Sequence, residues 1–354
     1  MKPEVSVIMS VYNGEVYLAE AIESVRNQTF KNWELIIIND CSTDSTSEIL
    51  DKFSLIDDRI KIYPNEVNLR LPKSLNKAIS LCRGKYIARM DADDICLPDR
   101  LSKQYEFMEE NPDITLSSCR FLTVKNGVYM SGGAGGRCED KYIRAMLLVA
   151  NPILHPGVIA KAEVLKEFLY DTTLTCTEDL ELWTRFSMSN QKMAILPECL
   201  MIYRLHDKQI TSTTLKRQHT EVLKIQNIYY YALLSVMEEE MQKFYIRGVY
   251  FRENPNIVEF KKYAKWLKTN GAKSFGKDAI NYALFEILAE YKRKGISKGD
   301  VIKGMTCFSP FFILKEISRR KKDAKKDIQK VFKVAEFLEL KQTAGTKEFP
   351  IFKK

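Results

Sequence analysis

The chain lacks the sequence features of a membrane-spanning or secreted protein. It contains no run of 18 or more apolar residues, and its start has no apolar core followed by a cleavage site. We therefore expect a cytoplasmic protein. The eight cysteines include no Cys-x-x-Cys pair, so the sequence predicts neither a zinc site nor a disulfide framework.

Glycine-rich nucleotide-binding loops are also missing. No Gly-x-Gly-x-x-Gly fingerprint follows the first predicted strand, and no Gly-x-x-x-x-Gly-Lys-[Ser/Thr] loop is present. These absences argue against a dehydrogenase and against a P-loop kinase. They leave a bound metal ion as the alternative way of holding a diphosphate.

Basic charge is concentrated at the end of the chain. The formal net charge is +9 over 354 residues, and residues 315–354 contain 13 Lys and Arg against 6 Asp and Glu. The basic character therefore concerns the partners of this tail rather than the fold. We expect no nucleic-acid partner.

Short apolar runs alternate with helical patterns over the first quarter of the chain. The predicted strands are Val5–Met9, Leu35–Ile38, Ile60–Tyr63 and Tyr86–Met90, and the segments between them carry apolar residues at helical spacing. This alternation predicts an α/β fold with a mostly parallel, Rossmann-like sheet built from right-handed βαβ units.

Polar side chains follow three of these predicted strands. They are Ser10, Tyr12, Asp40, Asp91 and Asp93. Because the carboxyl ends of parallel strands share one edge of a sheet, we expect these side chains to line a single crevice.

Three carboxylates, Asp91, Asp93 and Asp94, stand within four residues. Crowded carboxylates repel one another unless a cation is present. Mg²⁺ or Mn²⁺ commonly binds through one or two carboxylates plus substrate phosphates, so the cluster predicts a metal site for a phosphorylated donor. The alternative is a helix N-terminus, with Asp94 or Asp99 capping a helix that begins near Pro98.

Several motifs resemble those of family 2 glycosyltransferases with the GT-A fold, of the bacterial surface-polysaccharide type. They lie at Val5–Leu18, Glu20–Thr29, Ile38–Asp44, Ser74–Ala78 and Ala88–Asp94. The resemblance covers roughly residues 4–210. It implies a nucleotide-sugar-binding domain and an inverting, metal-dependent transfer of a hexosyl or N-acetylhexosaminyl group from a UDP-sugar to a glycan.

The resemblance also implies roles for individual residues. The implied donor-binding set is Ser10, Tyr12, Asp40, Asn76, Asp91 and Arg204. Within it, Ser10 and Tyr12 frame the base and ribose, and Asp40 accepts a hydrogen bond from uracil. Asp91 lies near the ribose or the diphosphate.

The implied metal ligands are Asp93 and His206. His206 closes the segment Tyr203-Arg204-Leu205-His206, in which Arg204 lies over the diphosphate. Neutral imidazole is a competent ligand for Mn²⁺ or Mg²⁺, and arginine is a natural phosphate partner. A purely structural role for His206 is the alternative.

A further acidic pair, Glu178-Asp179, opens a helical pattern. By resemblance Asp179 is the general base that takes the proton of the attacking hydroxyl. We expect Glu178 and partial burial to raise the pKa of Asp179. The alternative is an ordinary acidic helix start, which the helix dipole favours.

Two positions depart from the family pattern, since Cys41 and Arg70 stand where glycine is usual. Cys41 can be tolerated if its φ stays negative. Arg70 either touches phosphate or is a solvated loop residue. The segment Asn151–Val158 borders the acceptor pocket by resemblance, or His155 simply bonds loop backbone. The glycine-rich stretch 131–136 is a loop beside the acceptor or a plain connector.

We predict three parts of the chain: a GT-A domain at 1–212, a helical appendage at 213–314 and a basic tail at 315–354. The appendage packs on the enzyme or on a second subunit, which makes a homo-oligomer possible. One apolar stripe in the tail consists of Ala324, Ile328, Val331, Ala335 and Leu338.

The basic tail predicts binding to an anionic membrane surface, at the inner face of the plasma membrane. A lipid-linked oligosaccharide acceptor fits that location. Alternatively, the stripe packs on the preceding helices. Two other functions stay open: a sugar-nucleotide-binding scaffold without turnover, and a sugar nucleotidyltransferase.

Overall fold

The first strands of the chain form a parallel half-sheet. The strands are β1 (Val5–Val11), β2 (Trp33–Asn39), β3 (Ile60–Pro64) and β4 (Tyr86–Asp91). The connecting helices are α1 (Leu18–Arg26), α2 (Thr46–Ile56) and α3 (Leu71–Leu81). All three pairings within this half, β3–β2, β2–β1 and β1–β4, are parallel, as predicted.

The structure of the chain is a computed structural model. The structure describes residues 2–125, 128–132, 138–189, 191–206 and 255–321, together with part of 220–245. Most of the glycine-rich stretch 131–136 and all of the predicted apolar stripe at 324–338 lie outside these ranges. Within them, none of the helices combines the length and the apolar character needed to cross a bilayer.

Both faces of β1 and β2 are buried, which explains their uninterrupted apolar sequences. Along β1, Val7 and Met9 pack in one core with helix α1, whereas Ile8 belongs to a second core on the opposite face with α3. The period of two of a strand therefore divides each apolar run between two layers of helices.

The second half of the sheet is mixed. Its strands are β5 (Ile95–Cys96), β6 (Ile114–Lys125), β7 (Val128–Gly132), β8 (Ile159–Lys161) and β9 (Lys192–Leu205). The strand order is β3-β2-β1-β4-β8-β6-β9-β5, with β7 paired to β6. Strands β6 and β9 are parallel, whereas β8 is antiparallel to both of its neighbours.

Four helices and one turn of 3₁₀ helix accompany this half of the sheet. They are α4 (Arg100–Glu110), α5 (Asp140–Leu147), the 3₁₀ turn His155–Gly157, α6 (Ala162–Phe168) and α7 (Glu178–Met188). Asp99 stands at the N-cap of α4 but makes no capping hydrogen bond. Asp94 instead accepts a hydrogen bond from the Arg204 backbone N–H at 2.9 Å. Asp99 thus marks the predicted helix start without a capping hydrogen bond, and Asp94 bonds the backbone of a distant strand instead.

The C-terminal helices are α8 (Ile257–Phe275), α9 (Lys277–Arg293) and α10 (Lys298–Met305), followed by a helical segment at 310–321. They share one apolar core with α3, α5 and α7. Tyr282 of α9 meets Tyr142 of α5 edge to face, with ring centroids 5.5 Å apart. The helical appendage thus packs directly on the sheet domain, whereas the boundaries at 212 and 314 stay predictions.

Two backbone positions have a positive φ where the family pattern usually has glycine. Cys41 has a φ of 63°, and Arg70 has a φ of 66° with a ψ of 166°. The condition under which Cys41 would be tolerated, a negative φ, is therefore not met. Because a Cβ atom crowds the backbone in this region, glycine is the residue that adopts it without strain. This explains the usual glycine, and it makes both residues strained here.

Candidate active site

A cavity of about 1420 Å³ opens at the carboxyl ends of β1, β2 and β4. Pockets for one small molecule typically measure roughly 300–1,000 Å³, so this cavity has room for two substrates. Seven of the nine predicted site residues line it: Ser10, Tyr12, Asp40, Asp91, Asp93, Asp179 and His206.

Asp40 is the buried polar residue at the β2 end of the cavity. Its Oδ1 accepts hydrogen bonds from Asn65 Nδ2 at 2.7 Å and from the Leu69 N–H at 2.8 Å. These two donors hold one carboxylate oxygen in place and leave the other outside both contacts. Tyr12, whose exposed fraction is 53 %, offers a ring face at the same edge. Arg70 is exposed and also lines the cavity, at the start of α3.

Asp91, Asp93 and Asp94 converge at the end of β4. Their ligand oxygens all lie within 4.8 Å of one another. His206 adds an imidazole, since its Nε2 lies 2.8 Å from Oδ2 of Asp93. The strand β5, directly after Asp94, pairs with β9 and brings the end of β9 to this cluster.

The carboxylates of this cluster are crowded and partly or fully buried, and the positive charge beside them does not balance their negative charges. Burial raises the pKa of Asp91 to about 6, with Asp93 adding to the rise and Arg89 opposing it. Burial, together with Asp91 and Asp93, raises the pKa of Asp94 well above its usual range. Oδ2 of Asp94 is buried and has no hydrogen-bond partner among the described residues. An oxygen-rich group with an orphaned carboxylate oxygen fits a Mg²⁺ or Mn²⁺ ion.

Arg89 is a buried cation. The sequence pattern predicted it only as a residue of the strand Tyr86–Met90. Its Nη1 donates a hydrogen bond to Oδ2 of Asp91 at 2.7 Å. Its charge also acts on Asp94, Glu178 and Asp179, whose pKa values it lowers. The arginine therefore links the carboxylates of β4 to those of α7. A charged residue inside an otherwise apolar strand was the available signal.

Glu178 and Asp179 occupy the first turn of α7, as predicted. Oδ1 of Asp179 accepts a hydrogen bond from the Leu180 N–H at 2.7 Å, and its Oδ2 accepts one from Asn151 Nδ2 at 2.7 Å. Glu178 is only 6 % exposed, and its Oε2 has no hydrogen-bond partner among the described residues. The two neighbouring acids therefore have different surroundings.

The electrostatics of the pair follow from this difference. Burial raises the pKa of Glu178 to about 7, and the charge of Asp179 adds to the rise. Burial also raises the pKa of Asp179, but the Leu180 N–H, Arg89 and Asn151 all oppose that rise. The pKa of Asp179 is raised, as expected, and burial is the main cause; the predicted contribution of Glu178 is not among the main causes.

Two buried groups support this helix start. Glu221 accepts hydrogen bonds from the hydroxyls of Thr177 at 2.8 Å and Thr175 at 3.1 Å, so it holds the loop before α7. His155 lines the cavity, and its Nε2 lies 2.8 Å from the Tyr170 hydroxyl. Burial and the charge of Arg89 lower the pKa of His155 well below its usual range. The imidazole is therefore neutral.

Two predicted donor-binding residues are not brought to the cavity lining. Asn76 donates to the Tyr170 carbonyl and accepts from the Tyr170 N–H, both at 2.9 Å. Arg204 forms an ion pair with Glu20, and its guanidinium lies 4.8 Å from the centre of the Tyr17 ring. These side chains join distant segments of the chain around the site.

Comparisons with known proteins identify the family of this chain. The family profile described as glycosyl transferase family 2 matches residues 6–167. An uncharacterized glycosyltransferase of Methanocaldococcus jannaschii is 37 % identical over 220 residues, which cover 61 % of this chain and 76 % of that protein. The O-antigen biosynthesis glycosyltransferase WbnJ of Escherichia coli is 35 % identical over 222 residues, covering 60 % and 83 % of the two chains.

A solved structure supports the fold independently. Residues 1–349 of TarS from S. aureus, in complex with UDP, superpose with a TM-score of 0.54 at 18 % identity, covering 83 % of this chain and 93 % of that one. The superposition and the sheet topology show the GT-A fold. The chain belongs to glycosyltransferase family 2, as its relatives show, and the predicted resemblance to the surface-polysaccharide type is confirmed.

Proposed function

We propose that this protein is an inverting, divalent-metal-dependent glycosyltransferase that moves one sugar from a UDP-sugar to a glycan acceptor in bacterial polysaccharide biosynthesis. One observation carries the proposal. The same cavity is lined by Asp91 and Asp93 of the carboxylate cluster, by the buried Asp40 at the end of β2 and by the hydrogen-bonded Asp179 of α7.

Asp40 is the residue proposed to select the nucleobase. Uracil presents an N3–H donor, which a fixed carboxylate oxygen accepts well. Asn65 and Leu69 already hold one oxygen of Asp40, so the geometry of the carboxylate is set before the nucleotide binds. Tyr12 and Ser10 frame the base and ribose beside it. TarS, which shares this fold, has been crystallised with UDP.

Asp93 and His206 are the proposed ligands of Mn²⁺ or Mg²⁺, with Asp91 and Asp94 beside them. The bound ion would supply Lewis acidity at the departing diphosphate. The chain itself contributes oxygen and imidazole ligands together with the cation Arg89, which limits the repulsion among the carboxylates.

Asp179 is the proposed general base. The acceptor hydroxyl oxygen forms a bond to the anomeric carbon, and the bond from that carbon to the diphosphate oxygen breaks, so UDP leaves with the electron pair. The hydroxyl proton passes to Asp179. A single displacement with one base inverts the configuration of the anomeric carbon.

The acceptor and the location complete the proposal. WbnJ is described as an O-antigen biosynthesis enzyme, and a surface glycan assembled on a lipid carrier suits a relative of such an enzyme. We propose a lipid-linked oligosaccharide acceptor and a site of action on the cytoplasmic face of the membrane. The basic tail would hold the enzyme there.

The proposed function is tested with a panel of nucleotide sugars. Purified full-length protein is incubated with each donor and with Mn²⁺, Mg²⁺ or EDTA, and release of the nucleoside diphosphate is measured. We expect release from at least one UDP-sugar that stops with EDTA. Release from GDP- or CDP-sugars alone contradicts the assigned donor, and release that survives EDTA contradicts the assigned metal dependence.

A further inference from the structure

Asn151 contacts the predicted base, Asp179, in the cavity, and both ends of its side-chain amide are hydrogen-bonded. Its side-chain Oδ1 accepts a hydrogen bond from the Ile153 N–H at 3.1 Å. An amide has one oxygen and one NH₂ group, so this contact turns the NH₂ group the other way. There it donates to Oδ2 of Asp179 at 2.7 Å.

The second oxygen of Asp179 is held as well. Its Oδ1 accepts from the Leu180 N–H at 2.7 Å, in the first turn of α7. With one donor on each oxygen, the plane of the carboxylate is set. A carboxylate oxygen has two acceptor positions, so Oδ2 keeps one for a hydroxyl in the cavity.

The carboxylate of Glu178 has fewer hydrogen-bond donors around it than that of Asp179. Its Oε2 is buried without a hydrogen-bond partner among the described residues. The nearest basic side chain, His155, lies 4.0 Å from Oε1 and is neutral. Hydrogen bonds to a charged carboxylate favour the charged form, and burial without them favours the neutral form. A backbone N–H also favours the charged form of Glu178, but only one of its oxygens can receive that bond, because Oε2 has no partner among the described residues. Asp179 accepts a hydrogen bond on each of its two oxygens.

We propose that Asn151 is a positioning residue that assigns the negative charge of the Glu178–Asp179 pair to Asp179 and aims its Oδ2 at the acceptor hydroxyl. This inference rests on the proposed function for its catalytic meaning. The neutral Glu178 carboxyl then remains a hydrogen-bonding group for a substrate hydroxyl. Two acids with opposite surroundings thus take two roles.

Other charged and titratable groups also act on the Glu178–Asp179 pair, and they are the same in the wild type and in both Asn151 variants. Arg89 and Asp91 on β4 face it, and so do Tyr170 and the neutral His155. Arg89 favours ionisation, whereas Asp91 opposes it. None of them distinguishes Asp179 from Glu178 as the Asn151 hydrogen bond does.

The decisive substitution is Asn151→Asp. An aspartate has the same shape and can still accept the Ile153 N–H, so a role limited to holding this loop is retained. The substitution removes the donor to Asp179 and places the new carboxylate in contact with that of Asp179. These two carboxylates then have to share a proton. Asn151→Ser is the neutral second variant. It removes the amide donor without adding charge.

The first measurement does not depend on the donor sugar. Carboxyl titration is followed by NMR in full-length protein labelled with ¹³C on Asp and Glu, in saturating Mg²⁺, with Asp179→Asn and Glu178→Gln used to assign the signals. We expect Asp179 to titrate below Glu178 in the wild type, and the gap to narrow in Asn151→Ser. The inference is overturned if Asp179 titrates above Glu178, or if Asn151→Ser leaves the gap unchanged.

The second measurement is the pH profile of donor hydrolysis. For both Asn151 variants we expect the acid limb of kcat to move to higher pH and kcat at neutral pH to fall by up to about 10²-fold, with an unchanged KM for the donor. A wild-type profile in both variants refutes the positioning role. If the wild type hydrolyses no nucleotide sugar, the proposed function fails, and the NMR titration still decides how the charge is assigned.

Discussion

His206 Nε2 lies 2.8 Å from Oδ2 of Asp93, although 113 positions of sequence separate the two residues. The short β5–β9 pairing, Ile95 with Ile202 and Cys96 with Met201, brings the two strand ends together. Because the pairing is antiparallel, the residues before β5 and those after β9 meet at the same end, and one ion can take ligands from both strands. The contact turns two separate sequence motifs into one proposed ligand set.

Loss of Asp93 should abolish metal-dependent nucleotide binding. Asp93→Asn keeps the shape of the side chain but removes the charge that a divalent cation requires. Calorimetry with UDP and Mn²⁺ should show no saturable binding in this variant, and weakened binding in His206→Gln. Asp99→Asn, which alters an aspartate outside the cavity lining, is the control and should bind like the wild type. Unchanged affinity in Asp93→Asn removes it from the ligand set.

Loss of the base should separate binding from chemistry. Asp179→Asn should bind UDP and Mn²⁺ nearly as well as the wild type, while transfer falls by roughly 10²–10⁴. Glu181→Gln alters another acid of the same helical turn, one that pairs with Arg185 at 2.8 Å, and should keep most of the activity. Transfer near the wild-type rate in Asp179→Asn identifies another base, and Glu178 is then the first to test.

Substitution of Asp40 should alter the choice of base. In Asp40→Asn the amide oxygen can still accept from Asn65 and Leu69, so the loop is kept. The second oxygen becomes an NH₂ group, which cannot accept the uracil N3–H but can donate to cytosine N3. We expect UDP affinity to fall by about 10- to 100-fold, which corresponds to roughly 1.5–3 kcal/mol for a charged hydrogen bond. Competition between UDP and CDP measures the change, and an unaltered preference for UDP contradicts the role of Asp40.

Stability should depend on pH through Glu178. The folded state holds the pKa of this acid at about 7, above the usual 4.5, so the folded protein binds the proton more tightly than the unfolded chain. Stability therefore falls as pH rises from about 4.5 through 7. Glu178→Gln removes this penalty, and its Tm should exceed that of the wild type by about 2–4 °C at pH 7.5 and converge with it near pH 5. Equal Tm differences at both pH values contradict a neutral, buried Glu178.

The part of the tail after Lys321 should bind anionic membranes without contributing to the core. Phe312 and Glu316 are buried, and Arg320 pairs with Glu286 of α9 at 2.7 Å, so the segment 310–321 belongs to the packed helical region. Truncation after Lys321 should therefore keep the Tm and nucleotide binding, but abolish sedimentation with anionic liposomes at low salt. Full-length protein should lose that sedimentation at high salt. If it ignores anionic liposomes even at low salt, the membrane role is wrong.

The residue patterns were sufficient for the first half of the sheet. The apolar runs of β1, β2 and β4 and the helical spacing between them are local signals, and the predicted strands and helices lie within a few residues of the observed bounds. Parallel strands must place their carboxyl ends at one edge. The convergence of Asp40, Asp91 and Asp93 therefore followed from local patterns and a general rule of topology.

Only the tertiary structure decided which side chains serve the cavity and which hold it together. Asn76 and Arg204 stand in motifs near residues that line the cavity. The packing of α3 and β9 instead brings Asn76 into contact with Tyr170 and Arg204 into contact with Glu20. The positive φ of Cys41 depends on how the β2–α2 loop meets its neighbours. Asn151 reaches Asp179 because the loop after α5 meets the first turn of α7, 28 residues further along the chain. Such contacts depend on the packing of distant segments, which no local period of the sequence encodes.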